Sequence, residues 1–232
     1  SELVVSGELL RDEPMSRHTS FRIGGPADYL VIPANDDDVI NAVRWAHERD
    51  LPLTVLGNGT NVLVSDRGIR GVTVLIGRGL NAIHIEGLNL TAGCGAPLMK
   101  VAVQAARVGL SGLEFAEGIP GTLGGAIFMN AGTSLGEVKD TLHNVRAVKR
   151  NGEVVTLTPA DLGLEYRHSR LSESRDVLLS ARFRLRPAKP DEVAEAMRRL
   201  RLLRHGSQPH LERSAGCVFK NPPNMSAGRM LD

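Results

Sequence analysis

Leu53-Thr54-Val55-Leu56-Gly57-Asn58-Gly59-Thr60-Asn61 is the stretch on which the fold turns. A short apolar strand runs straight into two glycines separated by an asparagine. A buried strand followed by alternating glycines presents several backbone N–H groups in one small arc, and such a nest takes up anionic oxygen. Thr60 and the side chains of Asn58 and Asn61 add neutral donors. The loop has no P-loop lysine, which argues against a magnesium-bound nucleoside triphosphate. Val62 stands where the third glycine of a G-x-G-x-x-G pattern would fall, which disfavours a Rossmann nucleotide site. Plain turn chemistry competes with the nest reading for any single loop of this kind.

A second such loop follows at Gly118-Ile119-Pro120-Gly121-Thr122-Leu123-Gly124-Gly125. Pro120-Gly121 favours a tight turn. Gly124-Gly125 opens an apolar stretch, Ala126–Met129, that reads as a short helix with its N-terminus toward an anion. Two such loops, each beside buried apolar segments, weigh against turn chemistry alone.

Outward from the first loop, the pattern is strand, helix, strand, glycine loop, strand. Tyr29–Pro33, Pro52–Leu56 and Val72–Ile76 are the strands. Asp36–Asp38 cap a helix reaching about Arg49, with Val39, Ile40, Val43 and Ala46 on one face. Beyond Ala82, Ile83–Ile85 and Leu88–Ala92 form a hairpin around Glu86-Gly87. Pro97 and Gly109 bracket a helix over Leu98–Val108. Asn151-Gly152 joins the strands Val145–Lys149 and Val154–Leu157 as a hairpin, and Val177–Leu185 is a further strand. Pro187–Pro190 reads as a linker into the helix Asp191–His205, which carries Val193, Met197, Leu200 and Leu203 on one side. Residues 206–232 read as short and irregular. The closing Arg229-Met230-Leu231-Asp232 looks like the opening of another element. The expected units are 1–78, 79–187 and 188–232.

Composition sets the outer limits. The 232 residues are 42% hydrophobic and 23% charged, an ordinary globular balance with a net charge of +2. Lysine and arginine are spread along the chain apart from Arg198–Arg204, so nucleic-acid binding has no support. Aromatics are 3%, with Trp45 the one tryptophan, so the core is built from Val, Leu, Ile and Ala. Cys94 and Cys217 make no disulfide framework, and no Cys/His spacing implies a metal. Neither a secretory leader nor an apolar run of about 18 residues is visible, so a reducing cytoplasm and no membrane are expected.

Several further stretches carry a family resemblance together with the two loops. They are Thr19-Ser20-Phe21-Arg22-Ile23-Gly24-Gly25-Pro26-Ala27, Gly112-Leu113-Glu114-Phe115-Ala116, Met129-Asn130-Ala131-Gly132, Tyr166-Arg167-His168-Ser169, and Ser214-Ala215-Gly216-Cys217-Val218-Phe219-Lys220-Asn221-Pro222. In this order the chain resembles the UDP-N-acetylenolpyruvoylglucosamine reductase family, in its shorter class without an extra tyrosine-bearing loop. The resemblance implies an α+β fold of two subdomains cradling FAD, of the vanillyl-alcohol-oxidase-like, PCMH type. A truncated α/β substrate subdomain follows. It also implies noncovalent FAD, NADPH as co-substrate, and the enolpyruvyl ether of UDP-N-acetylglucosamine as the small-molecule substrate, with no obligate protein partner. A hydride passes from flavin N5 to C3 of the enol ether, and C2 takes a proton.

Site residues follow from the matched motifs. Leu56, Gly57, Asn58, Gly59, Thr60 and Asn61 fall to the cofactor, together with Gly118, Ile119, Pro120, Gly121, Thr122, Gly124, Gly125 and Ala126. Arg167 is expected to pair with the substrate carboxylate as enolate charge develops; taken alone it would read as a surface ion-pairing arginine. Cys217 stands where the family commonly has a serine proton donor. A thiol is the stronger acid and stays mostly protonated at neutral pH; a lone cysteine would otherwise read as a small buried hydrophobe. Tyr166, Lys220 and Asn221 are assigned to the substrate, with packing for Tyr166 and a solvated surface position for Lys220 as the plainer alternatives. The resemblance also implies a further catalytic glutamate toward the C-terminal end, a role for which no position of this sequence is matched. Two other readings stand beside this one: another PCMH-type flavin oxidoreductase, such as an alcohol oxidase with covalent FAD, and a non-catalytic nucleotide-binding module. The first glycine loop has no histidine for a covalent link.

Overall fold

The computed structural model describes residues 2–205, 213–222 and 225–231. The first sheet holds β1 (Glu8–Pro14), β2 (Pro26–Ile32), β3 (Leu53–Leu56) and β4 (Ile69–Leu75) in the order β1-β2-β4-β3. β2, β4 and β3 run parallel, and β1 joins the edge antiparallel to β2. Alternation along the strands divides the apolar residues between the two faces. Leu30, Ile32, Leu56 and Leu75 gather with Met15 and Val64 on one face. Val31, Val72 and Val74 lie on the other, beneath Val39, Ala42, Val43 and Ala46 of α1 (Asp36–Glu48).

The second sheet is antiparallel throughout. It contains β5 (Ile83–Glu86), β6 (Asn89–Gly93), β7 (Leu142–Val148), β8 (Val154–Leu157) and β9 (Val177–Arg184), in the order β8-β7-β9-β6-β5. Val148, Val177 and Leu179 of this sheet share the cluster around α1. One helix therefore serves both sheets. Burying each such valine or leucine contributes about 1.5–3 kcal/mol. The largest core lies against the second sheet, where α2 (Leu98–Arg107) and α3 (Leu123–Phe128) bring Val101, Ala105, Leu123 and Ile127 against Leu90, Val145 and Phe183. α4 (Pro190–His205) adds Val193 and Met197 to that core.

Four details depart from the sequence expectations. β1 was not anticipated, because an edge strand with exposed and half-buried residues on both faces has no clean hydrophobic alternation. The Pro187–Pro190 linker is tied down: Arg186 and Pro187 pair with Ser111 and Leu110, and Ala188 N–H donates to the Gly109 carbonyl at 2.8 Å. α3 begins at Leu123, three residues before its expected start, because Thr122 caps it. Leu203 is exposed, away from the buried side of α4. Of the segment 206–232, expected to be irregular, residues 206–212, 223–224 and 232 lie outside the described residues, and Ala227–Leu231 is a short helix.

The start of α1 shows how the N-terminus is held. Asn35 is its N-cap, accepting from Asp38 N–H at 3.0 Å. The buried Asp38 carboxylate turns backward and accepts from the backbone N–H groups of Ser6, Gly7 and Ala34 at 2.6, 2.9 and 2.8 Å. Burial disfavours its ionised form, but these three donors outweigh burial and hold its pKa below the ordinary carboxylate range. A depressed folded-state pKa gives stability that is complete above the unfolded-state pKa of about 3.9 and fades as pH falls through the folded value. Asp38→Asn should therefore lower stability at pH 7 by about 2 kcal/mol. In urea titrations, the gap between wild type and variant should close progressively below about pH 4.

Candidate active site

The two glycine loops, some sixty residues apart in sequence, meet in the fold. A Cβ placed on Gly57 would lie 2.4 Å from Thr122 Oγ1 and 3.2 Å from its methyl carbon. On the far side, Thr60 Oγ1 lies 3.0 Å from where a Gly121 Cβ would stand. The second loop is anchored beneath by backbone bonds. Leu98 N–H donates to Gly121 O, Leu123 N–H to Ala96 O, and Gly124 N–H to Cys94 O. Gly125 N–H donates to Thr122 Oγ1 at 3.3 Å. The first N–H groups of α3 are thus engaged within the chain.

Gly125 is the informative glycine. Within a helix, glycine costs about 1 kcal/mol relative to alanine. A Cβ here would meet only Thr122 Oγ1, at 3.6 Å, so packing does not exclude a side chain. Open space maintained at that cost fits a dinucleotide lying against the backbone. A cleft of about 290 Å³ opens beside the first loop, lined by Arg17, His18, Ser20, Gly57, Asn58 and Arg78. Its two arginines suit a diphosphate. His18 is buried, with Nε2 on Glu13 Oε1 at 2.9 Å and a buried Nδ1 that has no partner among the described residues. These features fit FAD.

Cys217 is exposed and hangs from the first loop. Ser214 O accepts from Ser20 Oγ at 2.8 Å, and Ser20 N–H donates to Gly59 O at 3.0 Å. A Cβ on Gly216, whose φ is +80°, would lie 2.6 Å from Asn61 Oδ1. Lys220 is exposed, and Asn221 Oδ1 accepts from Ala227 N–H at 3.0 Å, at the start of the short helix Ala227–Leu231.

Arg167 belongs to a different support. It is half-buried with φ +53°, its guanidinium 5.6 Å from the ring centre of the exposed Tyr166. Glu165 and His168 close the turn around this pair with two backbone hydrogen bonds, 3.1 and 3.2 Å. Ser169 Oγ, buried, donates to Phe128 O at 2.7 Å, at the C-terminal end of α3. The six residues of α3, about 9 Å of helix at 1.5 Å per residue, thereby join the second glycine loop to the turn of Arg167. Sequence reasoning quoted Asn130 and Ser169 within motifs but gave them no role. Asn130 reaches Glu165 and Ser169 reaches Phe128 across 35 and 41 residues, which no local signal reveals. Glu117 was also missed. It is buried just before the second loop, with Oε1 accepting from Arg201 Nε of α4 at 2.8 Å.

Residues 27–158 match the family model described as an FAD binding domain. The chain is 46% identical to the UDP-N-acetylenolpyruvoylglucosamine reductase of Agathobacter rectalis, over 96% of this chain and 74% of that protein. The chain belongs to the UDP-N-acetylenolpyruvoylglucosamine reductase family. The crystal structure of the family's Thermus caldophilus enzyme superposes with a TM-score of 0.83 at 34% identity, covering 98% of this chain and 79% of that one. The 6-hydroxy-D-nicotine oxidase of Arthrobacter nicotinovorans, 19% identical, shares the fold with a TM-score of 0.62 over 81% of this chain and 44% of that one. The fold is thus α+β and of the PCMH type, and FAD is the family's cofactor. No helix of the described residues is long and apolar enough to cross a membrane.

The two thiols differ in environment. Burial pushes the Cys94 thiol far above its ordinary pKa, with a smaller contribution from the Asp36 charge, while Cys217 is open to solvent. A disulfide-exchange reagent at pH 8 should therefore label one thiol per native chain, mapped to Cys217 by peptide mass. Cys94 should react only after unfolding.

Proposed function

We propose that the protein reduces the enolpyruvyl ether of UDP-N-acetylglucosamine to UDP-N-acetylmuramate in peptidoglycan precursor synthesis, with NADPH as electron source. The meeting of Gly57 with Thr122 carries this reading, because it makes one dinucleotide cradle from two loops in a chain of this reductase family. Units 1–78 and 79–187 act as the two FAD subdomains, and 188–232 begins the substrate unit. The unpaired thiols suit a cytoplasmic setting.

The FAD-holding residues are Leu56 to Asn61, Gly118 to Thr122, and Gly124 to Ala126. FAD, when bound there, supplies the hydride relay between NADPH and the enol ether. Arg167 binds the substrate carboxylate and stabilises charge on it as the double bond is reduced. Its guanidinium suits this better than a lysine would, because it is planar and donates two parallel hydrogen bonds. Cys217 gives its proton to C2, and its exposure allows the thiolate to regain one from solvent. Tyr166, Lys220 and Asn221 contact the nucleotide sugar.

Anaerobic mixing of the FAD-loaded protein with NADPH should bleach the flavin band, and the enol ether should restore it. Cys217→Ser should retain turnover. Cys217→Ala should still bleach with NADPH but recover its colour at least about 100-fold more slowly, the scale of a lost general acid. Full turnover by the alanine variant would remove Cys217 from its role. A flavin that NADPH does not bleach would remove the reductase reading.

A further inference from the structure

We infer that Asn130 is a positioning residue for the reduction, its buried carboxamide fixing the turn that presents Arg167; this rests on the enol-ether reductase reading above. Arg167 has φ +53°, a left-handed conformation that a non-glycine residue keeps only when its surroundings impose it. The turn's own two backbone bonds, between Glu165 and His168, are one constraint. Asn130 supplies another. Its Nδ2 donates to Glu165 O at 3.2 Å, and that carbonyl also accepts from His168 N–H. The second Nδ2 hydrogen goes to Glu137 Oε2 at 2.9 Å, and Oδ1 accepts from Lys139 N–H at 3.1 Å. With 2% of its surface exposed, the side chain is committed to these contacts.

Only a carboxamide satisfies this set. Two acceptors and one donor surround it, so the group must donate twice and accept once. An aspartate of the same shape would turn a carboxylate toward the Glu137 carboxylate and the Glu165 carbonyl. Asn130 is itself left-handed, with φ +41°, just past the end of α3. The plainer role is therefore a helix stop, for which asparagine and glycine both serve. That role needs the backbone conformation alone. The three side-chain bonds go beyond it: two, to Glu137 and Lys139, fix the carboxamide, and the third reaches Glu165 O in the segment carrying Arg167.

Glycine separates the two roles, since Asn130→Gly keeps the helix stop and deletes the carboxamide. Dithionite-reduced, FAD-loaded protein would be mixed anaerobically with saturating enol ether, and flavin reoxidation followed for wild type, Asn130→Gly, Arg167→Ala and the double variant. The expected loss in Asn130→Gly is about 10- to 100-fold, the scale of a misplaced catalytic group. Added to Arg167→Ala, the same change should cost less than about threefold, because its effect passes through Arg167. Amide exchange of the 164–170 peptide, read by mass spectrometry on apo-protein, should be faster in Asn130→Gly. Asn130→Asp repeats both readings if the glycine variant folds poorly. Wild-type reoxidation in Asn130→Gly, penalties that multiply in the double variant, or unchanged exchange in the turn would each overturn the inference. A wild type that fails to reoxidise would instead overturn the reductase reading, and this inference with it.

Discussion

A side chain does not fit at Gly57. The Thr122 hydroxyl would stand only 2.4 Å from a Cβ there, and most of the site depends on that close approach. It brings the end of the first parallel sheet against the loop that opens α3. It lets Thr60 and Gly121 face one another across the same gap. The Thr122 hydroxyl also accepts from Gly125 N–H, so the residue pressed against the first loop caps the helix of the second. Packing and local structure are satisfied by the same atoms.

The chemical groups are then hung from this cradle on two separate supports. Cys217 descends from the first loop through Ser214 and Gly216, which rest on Ser20 and Asn61. Arg167 is reached from the second loop along α3, whose C-terminal end is bonded to Ser169. Arg167 and Cys217 are thus each referenced to a different half of the cradle. A third link, between the buried Glu117 and Arg201, ties α4 to the start of the second loop. The ion pair has one partner with 2% and one with 55% of its side chain exposed. Removing Arg201 would leave a buried carboxylate without compensation, a costlier change than losing a surface pair.

The parallel and antiparallel strands, α1, α2 and both glycine loops were legible in the sequence because each rests on a local rule. Alternation marks buried strands, a 3.6-residue period marks helices, and spaced glycines mark backbone that must bend or be approached. β1 escaped because an edge strand with mixed exposure shows no alternation. The start of α3 was misplaced because the glycines at 124 and 125 disguise helical residues, and only the Thr122 cap reveals them. Arg167 and Cys217 are singled out by the family motifs and not by their chemistry alone. Asn130, Ser169 and Glu117 were not legible as supports, since the bonds that make them so span 35 to 84 residues and a buried polar residue has no meaning until its partner is known.

If one cradle holds the cofactor, its tightest contact governs affinity. Gly57→Ala pushes the two loops apart without touching Arg167, Cys217 or any charged group. FAD binding to apo-protein, followed by quenching of flavin fluorescence, measures this directly. A cradle shared by the two loops predicts affinity weakened about tenfold or more, at least about 1.4 kcal/mol. An alanine variant that binds FAD within about twofold of wild type, some 0.4 kcal/mol, would contradict it.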